Sequence, residues 1–396
     1  MPFRSLETAD LAGKRVLVRV DLNVPMADGQ VTDDTRLRAV LPTIRFLSLK
    51  GAKVILLAHF DRPKGKRVPE MSLAPVVGPL SDLLEQPVVF AEDCIGKPAY
   101  DVIVGLQDGG VALLENLRFH PGEEKNDPAF VTELGAIGDI YVNDAFSAAH
   151  RAHASTEGIA RLLPAYPGLA MQRELEALDA ALGKPQRPVL GIVGGSKVST
   201  KLDLLNNLVA KLDRLAIGGG MANTFLAAQG VDVGASLCEH ELGETAREIM
   251  ASAKKAGCEL LLPIDVVTAT EVKPGVATKT TDLAAIGKDD RILDAGPKTT
   301  ERLLAAMDAS KTLIWNGPLG VFEVPPFDVA TVAAAKHAGA LARAGKIVAV
   351  AGGGDTVAAL NHAGVAGEMT FVSTAGGAFL EWMEGKALPG VEALEA

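Results

Sequence analysis

Aromatic side chains make up only 4% of the 396 residues. Aliphatic groups must therefore fill the core, and stacking platforms for nucleic-acid bases are scarce. Positive charge is also in deficit: Lys and Arg number 39 against 49 Asp and Glu, a formal net charge of −10. No basic run is present to release counterions from a nucleic acid, so no nucleic-acid partner is expected. An anionic ligand would have to be met by locally concentrated Lys and Arg against a repelling overall field. Cys94, Cys238 and Cys258 are odd in number and lack metal-ligand spacing, as expected of small core thiols in a reducing compartment. No run approaches the ~18 apolar residues of a membrane span. The opening MPFRSLETADLAGKRVLVRVD carries no signal-type apolar block. A cytoplasmic protein without a membrane partner is the expectation, and neither a tandem repeat nor a low-complexity tract is found.

What is present is a long alternation of aliphatic runs and amphipathic stretches. The length is two to three times that of a typical domain, and 48% of residues are apolar. Strands are predicted at 15–21, 53–59, 87–90, 111–115 and 140–144, then at 189–194, 214–219, 259–263, 312–316, 346–352 and 368–373. These runs are nearly continuous in Val, Ile and Leu, as in strands covered on both faces. Helical patterns lie between them, such as TRLRAVLPTIRFLSLKG, stopped by Gly51. The fold class is therefore α/β, with two doubly wound parallel-sheet, Rossmann-like lobes. MQRELEALDAALGKPQRP, beginning at Met171 and closed by Gly183, Pro185 and Pro188, reads as a connecting helix over 171–187. It separates a lobe over 1–170 from one over 188–375 and would let them pivot at its ends.

In open α/β sheets ligands bind beyond the carboxyl ends of the strands. In the first half these ends carry Asp21-Leu22-Asn23, His59-Phe60-Asp61-Arg62, Glu115-Asn-Leu-Arg118 with His120, and Asn143-Asp144 followed by His150-Arg151-Ala-His153. Together with Arg36, these arginines and histidines would make a cationic pocket for a small, multiply anionic ligand. In the second half the ends carry glycine clusters: Gly194-Gly195, Gly218-Gly219-Gly220, Gly352-Gly353-Gly354 and Gly376-Gly377. Each precedes a helix-like segment whose free N–H groups and dipole favour phosphate oxygens.

The stretch GIVGGSKVSTK (191–201) misses the Walker A pattern at two positions, Ser196 and Val198. Its Lys197 and Lys201 would share one face if the segment were helical. Asp355 fits two uses, holding Mg²⁺ alongside phosphates or capping a helix with help from Thr356. A dehydrogenase reading fails because no G-x-G-x-x-G opens a helix after the first strand. A non-catalytic two-lobed ligand-binding protein is the other alternative.

The motifs RVLVRVDLNVP (15–25), HFDRP (59–63), LLENLRFH (113–120), NDAFSAAHRAHAST (143–156), GGSKVSTK (194–201), GGGMANTFL (218–226), LIWNGPLGVFE (313–323), GGGDT (352–356), STAGGA (373–378) and GKALPGVEAL (385–394) resemble those of the phosphoglycerate kinases. They follow family order across nearly the whole chain.

The resemblance implies reversible phosphoryl transfer from 1,3-bisphosphoglycerate to MgADP, giving 3-phosphoglycerate and MgATP. It also implies a monomer, a hinge between the lobes, and a tail over 376–396 that returns to the first lobe. Asp21, Leu22, Asn23, Arg36, His59, Phe60, Asp61, Arg62, Arg118 and Arg151 would bind the glycerate ligand. Gly195, Lys197, Lys201, Gly219, Asn316, Glu323, Gly353, Gly354, Asp355 and Thr356 would bind the nucleotide, with Asp355 on Mg²⁺. Arg36, Lys197 and the backbone N–H groups of Gly376 and Gly377 would stabilise the transferring group. Two positions depart from the family pattern. Asp61 stands where Gly is frequent, placing a carboxylate in a cationic neighbourhood, although Asp tolerates the left-handed backbone such a turn needs. Ala375 also stands where Gly is usual, which bears on the backbone donors of that helix start.

Overall fold

The computed structural model describes residues 3–395. It divides the chain into two compact units: residues up to Leu175 together with those from Ala387 onward, and Glu176–Lys386. Met1, Pro2 and Ala396, the outer limits of the expected first lobe and tail, lie outside the described residues.

The first unit is built on a parallel sheet of β1 (Arg15–Arg19), β2 (Lys53–Leu57), β3 (Val88–Ala91), β4 (Val111–Leu114), β5 (Ile140–Asn143) and β6 (Ala165–Pro167), in the order β3-β4-β2-β1-β5-β6. Val16 is in register with Val54 on one side and Ile140 on the other. The central strands are buried on both faces, which is why they read as unbroken aliphatic runs. Helix α1 (Thr35–Leu49) buries Leu37, Val40, Leu41, Ile44 and Leu47, an i, i+3, i+4, i+7 stripe. It ends before Gly51, whose φ is +75°. Strand β6 went unpredicted; it is three residues long and contains Pro167, and a strand ended by proline survives only at a sheet edge.

Helix α2 (Leu169–Leu178) continues into a single π turn, Asp179–Gly183. It starts two residues earlier than the periodicity suggested. Its first turn is capped from outside the helix, because Asp144 Oδ1 accepts from the N–H groups of Ala170 (2.9 Å) and Met171 (3.0 Å). Burial raises the pKa of Asp144 to about 6.

The second unit carries a parallel sheet of β7 (Val189–Val193), β8 (Arg214–Ile217), β9 (Glu259–Leu261), β10 (Thr312–Asn316), β11 (Val348–Gly352) and β12 (Phe371–Ser373), ordered β9-β8-β7-β10-β11-β12. The order reverses at β7, leaving a crevice beyond the carboxyl ends of β7 and β10. Helices α3 (Leu202–Val209), α4 (Gly219–Ala228), α5 (Gly354–His362) and α6 (Gly377–Met383) follow β7, β8, β11 and β12.

Two features of this unit differ from expectation. Residues 265–269, 279–282 and 291–295 form a small antiparallel sheet. Its strands are short and flank a Pro274-Gly275 turn, so the segment carries no long aliphatic run. Residues 376–386, expected in the returning tail, belong instead to the second unit. There Asn207 Nδ2 donates to the Met383 carbonyl (2.6 Å) and Lys386 pairs with Asp203 (3.0 Å). The return begins at Ala387, where Gly390 N–H donates to the Ala149 carbonyl (2.8 Å).

Candidate functional site

In the first unit, the ends of β1, β2, β4 and β5 converge on a cavity of about 150 Å³ lined by Asn23, His59, Asp61, Arg62, Arg118, Ser147, Ala148, His150 and Arg151. The loop after β2 is held by Asn116, whose Nδ2 donates to the carbonyls of Phe60 (2.7 Å) and Met71 (2.9 Å). Asn116 Oδ1 also accepts from Phe60 N–H at 3.2 Å. Asp61 N–H donates to Asn23 Oδ1 (2.9 Å), and Arg118 Nη1 donates to the Asp61 carbonyl (2.8 Å). Asp61 has φ +51°, so an L-residue holds the left-handed turn as expected.

Arg36 is not among the lining residues. It projects from the first turn of α1, with Nη1 donating to Asp21 Oδ1 (2.9 Å), Asp21 Oδ2 (3.0 Å) and the Asn23 carbonyl (3.0 Å). Ser147, which does line the cavity, donates to Asp21 Oδ2 as well (2.6 Å). Leu22 is fully buried and Phe60 packs against the core, so neither side chain lines the cavity.

The positive charge of the cavity comes from its arginines. Burial, then Arg19 and Arg118, push the His59 pKa far below the usual histidine range, and burial with the same arginines lowers His153 to about 4. His120, grouped with the pocket in the sequence, instead bonds Asp93 (2.6 Å) and stacks on Phe130.

The second unit presents a larger cavity, about 320 Å³, whose walls include Gly195, Gly219, Gly220, Asn223, Leu237, Leu293, Asp294, Leu319, Glu323 and Asp355. Beside it, Lys201 Nζ donates to the Gly194 carbonyl (2.6 Å) and to Asn316 Oδ1 (2.7 Å). Asn316 Nδ2 in turn donates to the Gly352 carbonyl (2.9 Å). Burial lowers Lys201 to about 8, while Asp355 pulls it back up. Lys201 and Lys197 do not share a helical face. Residues 198–200 form a 3₁₀ turn, Lys201 is the N-cap of α3, and Lys197 is exposed outside the cavity lining.

Helices α3, α4, α5 and α6 all begin without a side-chain cap. Lys or Gly stands where Ser, Thr, Asp or Asn usually does. Gly219 and Met221 of α4 donate instead to the Leu319 and Gly195 carbonyls, and Ala378 of α6 to that of Ala375. The starts of α4 and α5 line the cavity and can offer their remaining first-turn N–H groups to a ligand. Close backbone approach makes glycine obligatory at Gly219: its φ is +66°, and a Cβ there would lie 2.6 Å from the Gly195 carbonyl oxygen. Ala375 costs nothing of this kind, because the left-handed residue before α6 is Gly376 (φ +55°).

Asp355 does not cap α5, and the Thr356 hydroxyl is engaged by Gly317 N–H (2.7 Å). The Asp355 carboxylate is exposed at the cavity wall and accepts no hydrogen bond among the described residues. It therefore fits a cation whose other ligands come from phosphates. The apolar walls at Ala222, Leu237, Ile292 and Leu293 were missed from the sequence, because scattered aliphatic positions carry no motif.

Comparison with known proteins agrees over the whole chain. The family model for phosphoglycerate kinase matches residues 6–386. A phosphoglycerate kinase of Caulobacter vibrioides is 76% identical over 396 residues, covering 100% of both chains. One from Zymomonas mobilis is 63% identical, again covering 100% of each. The solved structure of the Coxiella burnetii phosphoglycerate kinase is similar with a TM-score of 0.93 at 41% identity, covering 99% of both chains. That from Pyrococcus horikoshii gives 0.80 at 33% identity, covering 99% of this chain and 98% of the other. On sequence motifs, sheet topology and site composition together, the chain belongs to the phosphoglycerate kinase family.

Proposed function

We propose that the chain catalyses reversible phosphoryl transfer between the acyl phosphate of 1,3-bisphosphoglycerate and ADP, yielding 3-phosphoglycerate and ATP. The reading rests on family membership and on one observation above the others: an arginine-lined anion cavity in one unit, matched by a larger cavity in the other whose wall carries the uncapped starts of α4 and α5 and the Asp355 carboxylate.

An acyl phosphate is a reactive donor, so in this direction the protein needs no general base. Its task is to align and neutralise. Asn23, His59, Arg62, Arg118 and Arg151 would hold the glycerate ligand, with Asp21 orienting Arg36. Lys201, Asn316, Glu323 and the turn Gly353–Thr356 would hold the nucleotide, with Gly195 and Gly219 allowing its close approach. Arg36, Lys197 and the N–H groups of Gly376 and Gly377 would meet charge on the transferring group.

Mg²⁺, held by Asp355 and the nucleotide phosphates, would neutralise phosphate charge. Since donor and acceptor bind to separate units, transfer requires a closed state in which both meet and water is excluded. We further propose that the protein acts in the cytoplasm as a monomer. A coupled assay for ATP formation from 1,3-bisphosphoglycerate and MgADP tests the function, and no ATP above the uncatalysed background would overturn it.

A further inference from the structure

Arg19, the last residue of β1, is 1% exposed and lies behind the anion cavity without lining it. Each of its three side-chain nitrogens has a protein partner. Nη1 donates to the Val20 carbonyl (2.6 Å), Nε to Ser155 Oγ (2.8 Å), and Nη2 lies 2.8 Å from His59 Nδ1. The chain of contacts continues, since Ser155 Oγ donates to Glu123 Oε1 (2.5 Å) and Ser155 N–H donates to Glu123 Oε2 (3.0 Å). Glu123 is fully buried, and Tyr141 Oη donates to the Ser155 carbonyl (2.6 Å), pinning the turn. Burial raises the Glu123 pKa, but Arg19 opposes that shift and both Glu123 oxygens accept from Ser155 as a carboxylate's do, so a buried cation and a carboxylate sit on either side of one serine.

The chemistry of the Arg19–His59 contact admits one proton arrangement. A guanidinium is always charged and has no acceptor, so it can only donate. His59 Nδ1 must therefore present a lone pair, and the ring's proton must sit on Nε2. Protonating Nδ1 would point an N–H at an N–H and set an imidazolium against Arg19, Arg118 and Arg151, with His153 also facing the ring. Nε2 has no partner among the described residues and belongs to a side chain that lines the cavity.

We propose that Arg19 is a positioning residue that locks His59 as a neutral Nε2–H donor, with Glu123 acting through Ser155 as the countercharge that holds Arg19. His59 then offers the ligand a directed hydrogen bond of fixed polarity across the neutral pH range, while Arg62, Arg118 and Arg151 supply charge. The ligand side of this inference rests on the proposed glycerate site; the proton arrangement does not.

The test is imidazole ¹⁵N NMR on the ligand-free, full-length protein, followed by titration with 3-phosphoglycerate. Wild type is expected to show an acceptor-type Nδ1 and a protonated Nε2 on His59, unchanged from about pH 8 to about pH 5. In Arg19→Met, and in the paired Arg19→Met/Glu123→Gln variant that removes both buried partners, His59 should populate both tautomers and its pKa should rise, while burial, Arg118 and Arg151 still hold it below the ordinary value of about 6.5.

The KM for 3-phosphoglycerate, relative to wild type at the same pH, should be about tenfold higher near pH 8. That ratio should fall as His59 gains a proton, with the nucleotide KM unchanged. An imidazolium or Nδ1–H signal in the wild type at neutral pH overturns the proposal, even if neither variant folds. So does a folded variant that keeps the wild-type tautomer and pH profile. If the tautomer is as expected but 3-phosphoglycerate leaves the His59 signals unmoved, the positioning stands and the ligand assignment falls.

Discussion

The two units solve the same problem, holding anionic oxygen, by opposite means. The first uses side chains: Arg62, Arg118 and Arg151 line a small cavity, with Arg36 tied to Asp21 beside it. The second uses backbone: α4 and α5 start without caps on the wall of a larger cavity, and the half-buried Lys201 is tied into the network beside it. Side-chain charge reaches through several ångströms and tolerates adjustment, but it is screened by salt. Backbone donors are fixed by φ and ψ, so they depend on glycine and barely on pH. Each unit should therefore fail in its own way.

The largest expected effect is at Arg36. Arg36→Ala should lower kcat on the order of 10³-fold, as for arginines that act mainly in the transition state. Steady-state turnover close to that of wild type would remove it from the catalytic group. Next comes Lys197→Ala, expected to reduce kcat about 10²-fold with little change in nucleotide KM. An unchanged kcat with a raised KM would mark Lys197 as a binding residue.

On the backbone side, Gly219→Ala forces a Cβ to 2.6 Å from the Gly195 carbonyl in a left-handed turn. Nucleotide KM should rise about 10- to 100-fold from strain of ~1–3 kcal/mol, with the 3-phosphoglycerate KM unmoved. A comparable rise in both constants would show that the two half-sites are not built independently.

Lys201 sharpens the contrast through pH. Its pKa is lowered by burial to about 8, so its charge is lost in the folded protein as pH rises through that value. Nucleotide KM should climb severalfold between about pH 7.5 and about pH 9. For stability the sign is opposite. Between about 8 and the unfolded value near 10.5, the unfolded chain binds the extra proton, so this group makes stability rise with pH. A flat KM profile over the same interval would remove Lys201 from phosphate binding.

The smallest effect is expected at Asp61. Its φ of +51° suits glycine, and its carboxylate lines the cationic cavity. Asp61→Gly should lower the 3-phosphoglycerate KM about two- to fivefold by removing like charge. The gain should shrink with added salt, and a salt-independent change would indicate backbone relief instead.

The same contrast governs what could be read in advance. The sheets were legible because a strand buried on both faces is an uninterrupted aliphatic run. All eleven predicted strands appear in the two parallel sheets, and β6, with three residues and a proline, does not announce itself. Arg118 and Arg151 were legible because strand ends are where such sheets bind ligands. The helical pairing of Lys197 and Lys201 was wrong, because a 3₁₀ turn and an extended Lys197 intervene. Asp355 was left between two uses in sequence, and the free carboxylate at an uncapped helix start removes capping.

The amino-acid sequence alone determined the α/β class, the alternation that makes two doubly wound sheets, and which residues stand at the strand ends, because periodicity and glycine placement are local properties. Tertiary structure alone decided that Arg19 reaches His59 and Ser155, 40 and 136 positions away in sequence. It also decided that Asn116 secures the loop after β2 and that the chain leaves the second unit at Ala387. Hydrogen-bond partners and burial are set by how distant segments meet in space, and no local pattern encodes that meeting.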